Sequence, residues 1–403
     1  MRKITVYSGL YGIVLAAACG LSRAVTEGGI GSALQPYVNR HELAGAVALI
    51  ASKDKVLSVE AVGYADFAAR KPMMADCLFW IASMSKPITA TALMMLVEDG
   101  KVRLDDPIHT YLPHFAPKIM GLTPDGAHVL LEEPRRAITV RNLLSHTGGM
   151  AFRSSLETPT LDAFPLRTRV ESYSLEPLLF EPGSGWSYSN AGINTVGRII
   201  EVVSGMSYEE FLQKRLFAPL GMKDTTFWPT PAQLSRLAKS YKPGTTGKDL
   251  EETPITQLHY PFSDHRARFA IPAGGLFSTA ADLAKFCQML LAGGVYEGRR
   301  YLALASIQQM TRNQVPEDSR QELSGSGEVN GYGLGWFISA SGTFGHQGAY
   351  STSMRIDPMR GLITIWLVQH AGFPGDGAKS LAVFEEFAGK HFGTEVMPGP
   401  MKH

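Results

Sequence analysis

The chain has 403 residues, a formal net charge of +1 and 45% hydrophobic residues, which suits one large or two ordinary globular domains with a substantial core. So balanced a charge supplies no basic field and argues against nucleic acid as a partner. The 3 cysteines, Cys19, Cys77 and Cys287, are too few for a disulfide framework, and no C-x-x-C or H-E-x-x-H spacing points to a metal.

The N-terminus reads as an export signal over residues 1–24. Arg2 and Lys3 form a charged start, "YSGLYGIVLAAACG" a short apolar stretch, and Ser22-Arg23-Ala24 offers small residues for cleavage. Cys19 after "LAAA" gives a second reading, a lipoprotein signal ending at residue 18 with a lipid anchor on Cys19. A periplasmic or secreted location follows from either. The apolar run is shorter than the roughly 20 residues a membrane span needs.

Next comes a helix over "GSALQPYVNRHE", then "AVALIAS" and "KVLSVEAVG", which alternate and are rich in β-branched residues, a β-hairpin pattern. From Ser83 to about residue 324 the pattern is mostly helical. "RNLLSHTGG", "GINTVGRIIEVVSG", "YEEFLQKRLFAPLG" and "STAADLAKFCQMLLAGG" read as helices, each stopped by glycine, the last with Thr279 and Asp282 as a capping pair. Residues 115–137 read as an irregular surface excursion. Strands return in "GLGWFIS", "TFGHQG", "STSMRIDP" and "LITIWLVQ", and "AKSLAVFEEFAGKHF" closes the chain as an amphipathic helix. The expected architecture is α/β: a sheet domain from 25–82 and 325–395, a mostly helical domain from 83–324, and a site at their seam.

One stretch, "FWIASMSKPITATALMML", carries Ser83 and Lys86 three places apart. On a helix that spacing puts both side chains on one face. Pro87 must lie within the first turn, which places Ser83 at the helix start, where the dipole favours developing negative charge. A buried lysine with a lowered pKa can activate a serine. The same four residues also fit a serine cap followed by a solvated lysine. Further along, "PGSGWSYSNAG" brings Tyr188 and Asn190 in a loop before a helix, and "FGHQGAYS" sets His346-Gln347-Gly348 on a strand.

With those residues in view, the chain resembles the serine β-lactamase-related hydrolases: class C β-lactamases, family VIII carboxylesterases, D-aminopeptidases and DD-peptidases. The likeness runs from about residue 30 to about residue 392 and includes "ITVRNLLSHTGGM", "FAPLGMKDTTF", "PAGGLFSTAADLAKF" and "YGLGW" in order. It implies a β-lactamase/DD-peptidase-like fold, with an antiparallel sheet flanked by helices. It implies Ser83 as the acylated nucleophile, Lys86 as its partner, Tyr188 in the proton relay and Asn190 beside the lysine and the substrate. His346-Gln347-Gly348 matches the third motif, usually Lys-Thr-Gly in the β-lactamases, and the N–H groups of Ser83 and Ala349 match the oxyanion hole. No metal or organic cofactor is implied, and the substrate is a small ester or amide.

The departure is at His346. A lysine there is cationic and helps hold a substrate carboxylate; an imidazole with its ordinary pKa near 6.5 is mostly neutral at about pH 7. This favours ester hydrolysis, with β-lactam or D-amino-acid peptide hydrolysis as the alternative and a silent peptide-binding relative as a second one. Other polar residues take plainer readings. His146 reads as a helix-end residue, Asp264-His265 as loop, His109 and His114 as surface, and Cys77 and Cys287 as buried thiols. Trp186, Phe152 and Tyr332 suit either an acyl pocket or the core.

Overall fold

The computed structural model describes residues 28–116, 119–121, 131–326 and 329–393. The expected export signal and Cys19 lie outside these residues, as does the middle of the 115–137 excursion.

After helix α1 (Ile30–Asn39) the chain forms strands β1 (Gly45–Ala51), β2 (Val56–Asp66) and β3 (Lys71–Pro72). Five more strands come from the other end of the chain: β4 (Val329–Tyr332), β5 (Phe337–Ser339), β6 (Phe344–Gln347), β7 (Ser353–Asp357) and β8 (Leu362–Leu367). All eight join one sheet in the order β4-β5-β6-β7-β8-β1-β2-β3, and every pairing is antiparallel. The join between the two ends is β1 on β8, with Val47 opposite Leu367.

Strand β1 shows why this sheet is covered on both faces. Its period of two sends Ala46, Ala48 and Ile50 toward α1 and the last helix, α6 (Lys379–Phe392), where Leu34, Trp366 and Phe384 pack. Val47, Leu49 and Ala51 join the main core on the other face. Val47, Leu49 and Ile50 each contribute roughly 1.5–3 kcal/mol when taken fully out of water.

The helix that begins beside Ser83, α2 (Ser85–Glu98), is buried from Ser85 to Leu96. It is apolar on all sides because it runs through the middle of the molecule. Pro87 is its third residue, where the missing N–H would have no intrahelical partner. Against α2 packs α4 (Asn190–Ser204), while α5 (Ala280–Leu291) covers the inner face of the sheet with Phe286 and Cys287.

Three expectations are corrected. Helix α3 (Val140–Ser145) ends not on glycine but on His146, whose backbone is left-handed at φ 61. Such a conformation is uncommon for a residue with a side chain, and the ring of His146 is bonded on both nitrogens, which fixes it there. Thr279 caps α5 through the Asp282 N–H, but the Asp282 carboxylate does not reciprocate. It accepts instead from Asp224 N–H at 2.7 Å and the Thr225 hydroxyl at 3.0 Å. Strand β4 was not expected, since "VNGY" has no alternation; it forms by pairing with β5, with the Asn313 side chain accepting the Tyr332 N–H at 3.0 Å.

Candidate active site

Ser83 lies in the single 3-10 turn Ala82–Met84 that feeds α2. Ala82 before it has φ 45, a left-handed conformation that costs a residue with a Cβ roughly 1–2 kcal/mol. The segment is clamped on both sides. Ile81 N–H donates to Leu276 O at 3.0 Å, and Phe79 pairs with Ser278 and Trp80 with Phe277. Gly348, just beyond β6, faces the carbonyl of Ile81 so closely that a Cβ there would lie 2.5 Å from that oxygen and would also collide with Thr352 Oγ1. Only glycine lets the third motif approach the serine turn this closely.

Lys86 follows within the first turn of α2 and is wholly buried. Its Nζ meets three oxygens: Ser83 Oγ at 2.9 Å, Asn190 Oδ1 at 2.8 Å and the Ala273 carbonyl at 2.8 Å. It also sits 4.6 Å from the centre of the Tyr188 ring. Burial pushes Lys86 well below the ordinary lysine range. Burial raises the Tyr188 phenol, and a hydrogen bond to Ser83 works against that rise.

The loop that presents Tyr188 and Asn190 is pinned from both sides. Ser189 caps α4 by accepting the Gly192 N–H, and its hydroxyl donates to Ala151 O at 2.7 Å. Asn190 N–H donates to Phe152 O at 3.0 Å. The Phe152 ring, largely exposed, stacks beside Tyr188 with centroids 6.4 Å apart.

His346 belongs to this cluster but does not reach the serine. Its ring lies 6.2 Å from that of Tyr188 and 4.9 Å from Phe337. Nδ1 donates to the Gln347 carbonyl at 2.7 Å, and Nε2 meets the Tyr332 hydroxyl at 3.2 Å. Burial, helped by the nearby Lys86, lowers its pKa to about 3. The ordinary value near 6.5 expected from the sequence is therefore corrected: the ring is neutral across the whole physiological range.

Residues 30–385 match the family model described as Beta-lactamase. The chain belongs to the beta-lactamase family. Penicillin-binding protein 4 of Amycolatopsis lactamdurans is 32% identical over 304 residues, 72% of each chain. Esterase EstB of Burkholderia gladioli is 28% identical over 372 residues, covering 83% of this chain and 88% of its own. Among solved structures, EstCE1, "a hydrolase with promiscuous acyltransferase activity", has a TM-score of 0.73 at 24% identity, over 89% of this chain and 97% of its own, a likeness of fold. The beta-lactamase family to which this chain belongs is one of serine hydrolases, and the mixed α/β fold with its antiparallel sheet is the fold of the family.

Several residues of this beta-lactamase-family site were not singled out from the sequence. The Ala273 carbonyl holds Lys86, and Ala273 N–H is itself fixed by Asn194 Oδ1 at 3.0 Å. Asn194 donates onward to Tyr173 Oη at 2.9 Å and Glu157 Oε1 at 3.2 Å, and Glu157 pairs with Arg169 at 3.5 Å in the dry interior. The only sequence signal was that Ala273 falls inside "PAGGLFS". Of the aromatic residues left open, Trp186 and Tyr332 are buried core and Phe152 faces solvent beside Tyr188. Asp264 accepts backbone N–H bonds from Arg266 and Ala267, and His265 stacks on Trp228, so they form no dyad. His109 and His114 are exposed, and Cys77 and Cys287 are buried thiols raised by burial.

Proposed function

We propose that the protein is a carboxylesterase that cleaves small uncharged esters through an acyl-enzyme on Ser83. Asn190 Oδ1 and the Ala273 carbonyl can only accept, so they take two N–H bonds of Lys86. In the neutral amine that the depressed pKa supplies, the remaining position is a lone pair, and it faces Ser83 Oγ. Ser83 gives its proton to this Lys86–Tyr188 pair and attacks the ester carbonyl. The two groups titrate jointly, so the base is the pair rather than either residue. The N–H groups of Ser83 and Ala349 stabilise the oxyanion, each worth roughly a hundredfold in rate. Tyr188 returns the proton to the leaving alkoxide as the C–O bond breaks, and water then cleaves the acyl-enzyme by the same groups. The left-handed Ala82 supports this reading, since strain of that kind is kept where it aims a reacting group.

The observation that carries the ester preference is His346. The third-motif position, where the β-lactamases have a lysine, holds a buried imidazole with both nitrogens already bonded, and it offers a substrate carboxylate no charge. The likeness to EstB points the same way; that to a penicillin-binding protein favours D-alanyl peptides instead. A panel of p-nitrophenyl esters, nitrocefin and a D-alanyl-D-alanine peptide separates these readings, with the acyl-enzyme detected by intact mass. Short esters turn over fastest; a higher kcat/KM for nitrocefin or the peptide overturns the assignment. The charged start, apolar stretch and small residues within 1–24, with Cys19 as a second processing point, support action outside the cytoplasm.

A further inference from the structure

We propose that His146 and Tyr332, neither in the three motifs, are positioning residues that form one directed hydrogen-bond chain locking His346 as a fully bonded neutral imidazole and tying the Tyr188 loop to strand β6.

The direction follows from the two ends, which are backbone groups with fixed roles. At one end Ser189 N–H donates to His146 Nδ1 at 3.2 Å, so that nitrogen carries no proton. Neutral His146 must then be protonated on Nε2, which points at the Tyr332 hydroxyl 3.1 Å away. At the other end the Gln347 carbonyl can only accept, so His346 Nδ1 carries the proton. Its Nε2 is then a lone pair, 3.2 Å from the same hydroxyl. Tyr332 receives from His146 and has one proton to give, and His346 Nε2 is where it goes. The two imidazoles are opposite tautomers, and no proton in the chain has a second place to sit.

The surroundings keep it so. His146, Tyr332 and His346 are each at most 2% exposed. The groups facing His346 are Lys86 from α2, His146 at the end of α3, Tyr188 from the loop before α4 and Tyr332 from β4; Met354 opposite it on β7 and Phe337 on β5 carry no charge. A proton added to His346 would have to displace the Tyr332 donor and would stand near Lys86. His146 also packs on Tyr188 directly, with ring centroids 4.6 Å apart, so the chain and the relay tyrosine share a wall. His346 is therefore a brace: it takes no part in proton transfer, and it can keep out of it only while Tyr332 occupies its lone pair.

The test is nitrogen-15 NMR of the histidine rings, assigned by single replacements, together with the pH profile of Tyr332→Phe. In the intact protein His146 shows the Nε2–H form and His346 the Nδ1–H form, and His346 takes no proton above about pH 5. Equal tautomers, or a titration of His346 near its ordinary pKa, overturn the proposal. Tyr332→Phe keeps the ring and removes the one hydroxyl that accepts from His146 and donates to His346. A donor to the lone pair favours the neutral ring, so its loss raises the proton affinity of His346 about tenfold, moving an acid limb of kcat upward by about one pH unit with KM little changed. An unchanged profile in a folded Tyr332→Phe protein refutes the role of Tyr332. For His146, asparagine tolerates the left-handed backbone and can still accept the Ser189 N–H, but cannot reach Tyr332. If the helix end were its whole function, His146→Asn would leave the profile untouched; the chain requires the acid limb to rise, because Tyr332 loses the donor that directs its own proton to His346, while the Gln347 carbonyl still holds the His346 tautomer. The activity profile rests on the acyl-transfer reading and the tautomers do not, so the two can fail separately.

Discussion

Acidification from about pH 8 to about pH 5 should destabilise the fold by about 4 kcal/mol through two histidines alone. Burial lowers His346 to about 3 and His370 to about 4, and the Nε2 of His370 is occupied by the Ala44 N–H at 3.1 Å. In the unfolded chain both imidazoles have a pKa of about 6.5. Between these values the unfolded state binds protons that the native state refuses, so stability is complete above about pH 6.5 and is lost as pH falls toward the folded values. The slope is about 1.4 kcal/mol per pH unit for each ring, which by about pH 5 amounts to about 2 kcal/mol each. His146, also lowered by burial, acts in the same sense. Carboxylates such as Asp66 and Asp264, held down by backbone N–H donors, lose their contribution only below this window. Urea unfolding midpoints at several pH values measure the effect, and His346→Gln should remove about half of the pair's share. A midpoint that does not move over this range, or a His346→Gln protein with the full pH dependence, would show that the ring is not held neutral and would remove the basis of the proposed ester preference.

Ser83→Ala should abolish turnover and covalent labelling by a fluorophosphonate at unchanged thermal stability; labelling at another serine would refute the assignment. Tyr188→Phe removes one hydroxyl beside Ser83 and should lower kcat by roughly a hundredfold to ten-thousandfold, measured on a p-nitrophenyl ester. Gly348→Ala places a methyl group against the Ile81 carbonyl, and both kcat and the melting temperature should fall, checked by kinetics and calorimetry. Material recovered from outside the cytoplasm should begin after residue 18 or near residue 25, which N-terminal sequencing reads directly; an intact Met1 there would contradict export processing.

What was legible in the sequence was what local chemistry encodes. Alternation in "AVALIAS" and glycine after the helix ending at Ser204 both act within a few residues, so β1 and the stop at Gly205 could be read directly. Pro87 likewise confined Ser83 to a helix start. The partners of Lys86 were only partly legible. Asn190 stands in a recognisable Tyr-x-Asn pattern, but a carbonyl such as that of Ala273 looks like every other carbonyl until the fold turns it inward. The ordinary pKa expected for His346 failed for a related reason. Its shift depends on burial and on Lys86, brought near it by the folding of distant segments, and no window around residue 346 contains that information. His146 was read as a helix end, and it is one, but its second bond to Tyr332 joins residues whose proximity only the sheet creates.

The sheet's closure has a consequence for biogenesis. Strand β1 is synthesised long before its neighbour β8, with Val47 opposite Leu367. Loop-closure entropy makes such a pairing late and slow. Ser83, Lys86 and Asn190 exist in the growing chain long before Gly348 can close on the Ile81 carbonyl beside them. On the proposed mechanism, a growing chain therefore carries the serine and its base before the second oxyanion donor, Ala349, is made. The proposed acyl transfer waits for β6, β7 and β8, and a chain that stops before them should be inert toward p-nitrophenyl esters.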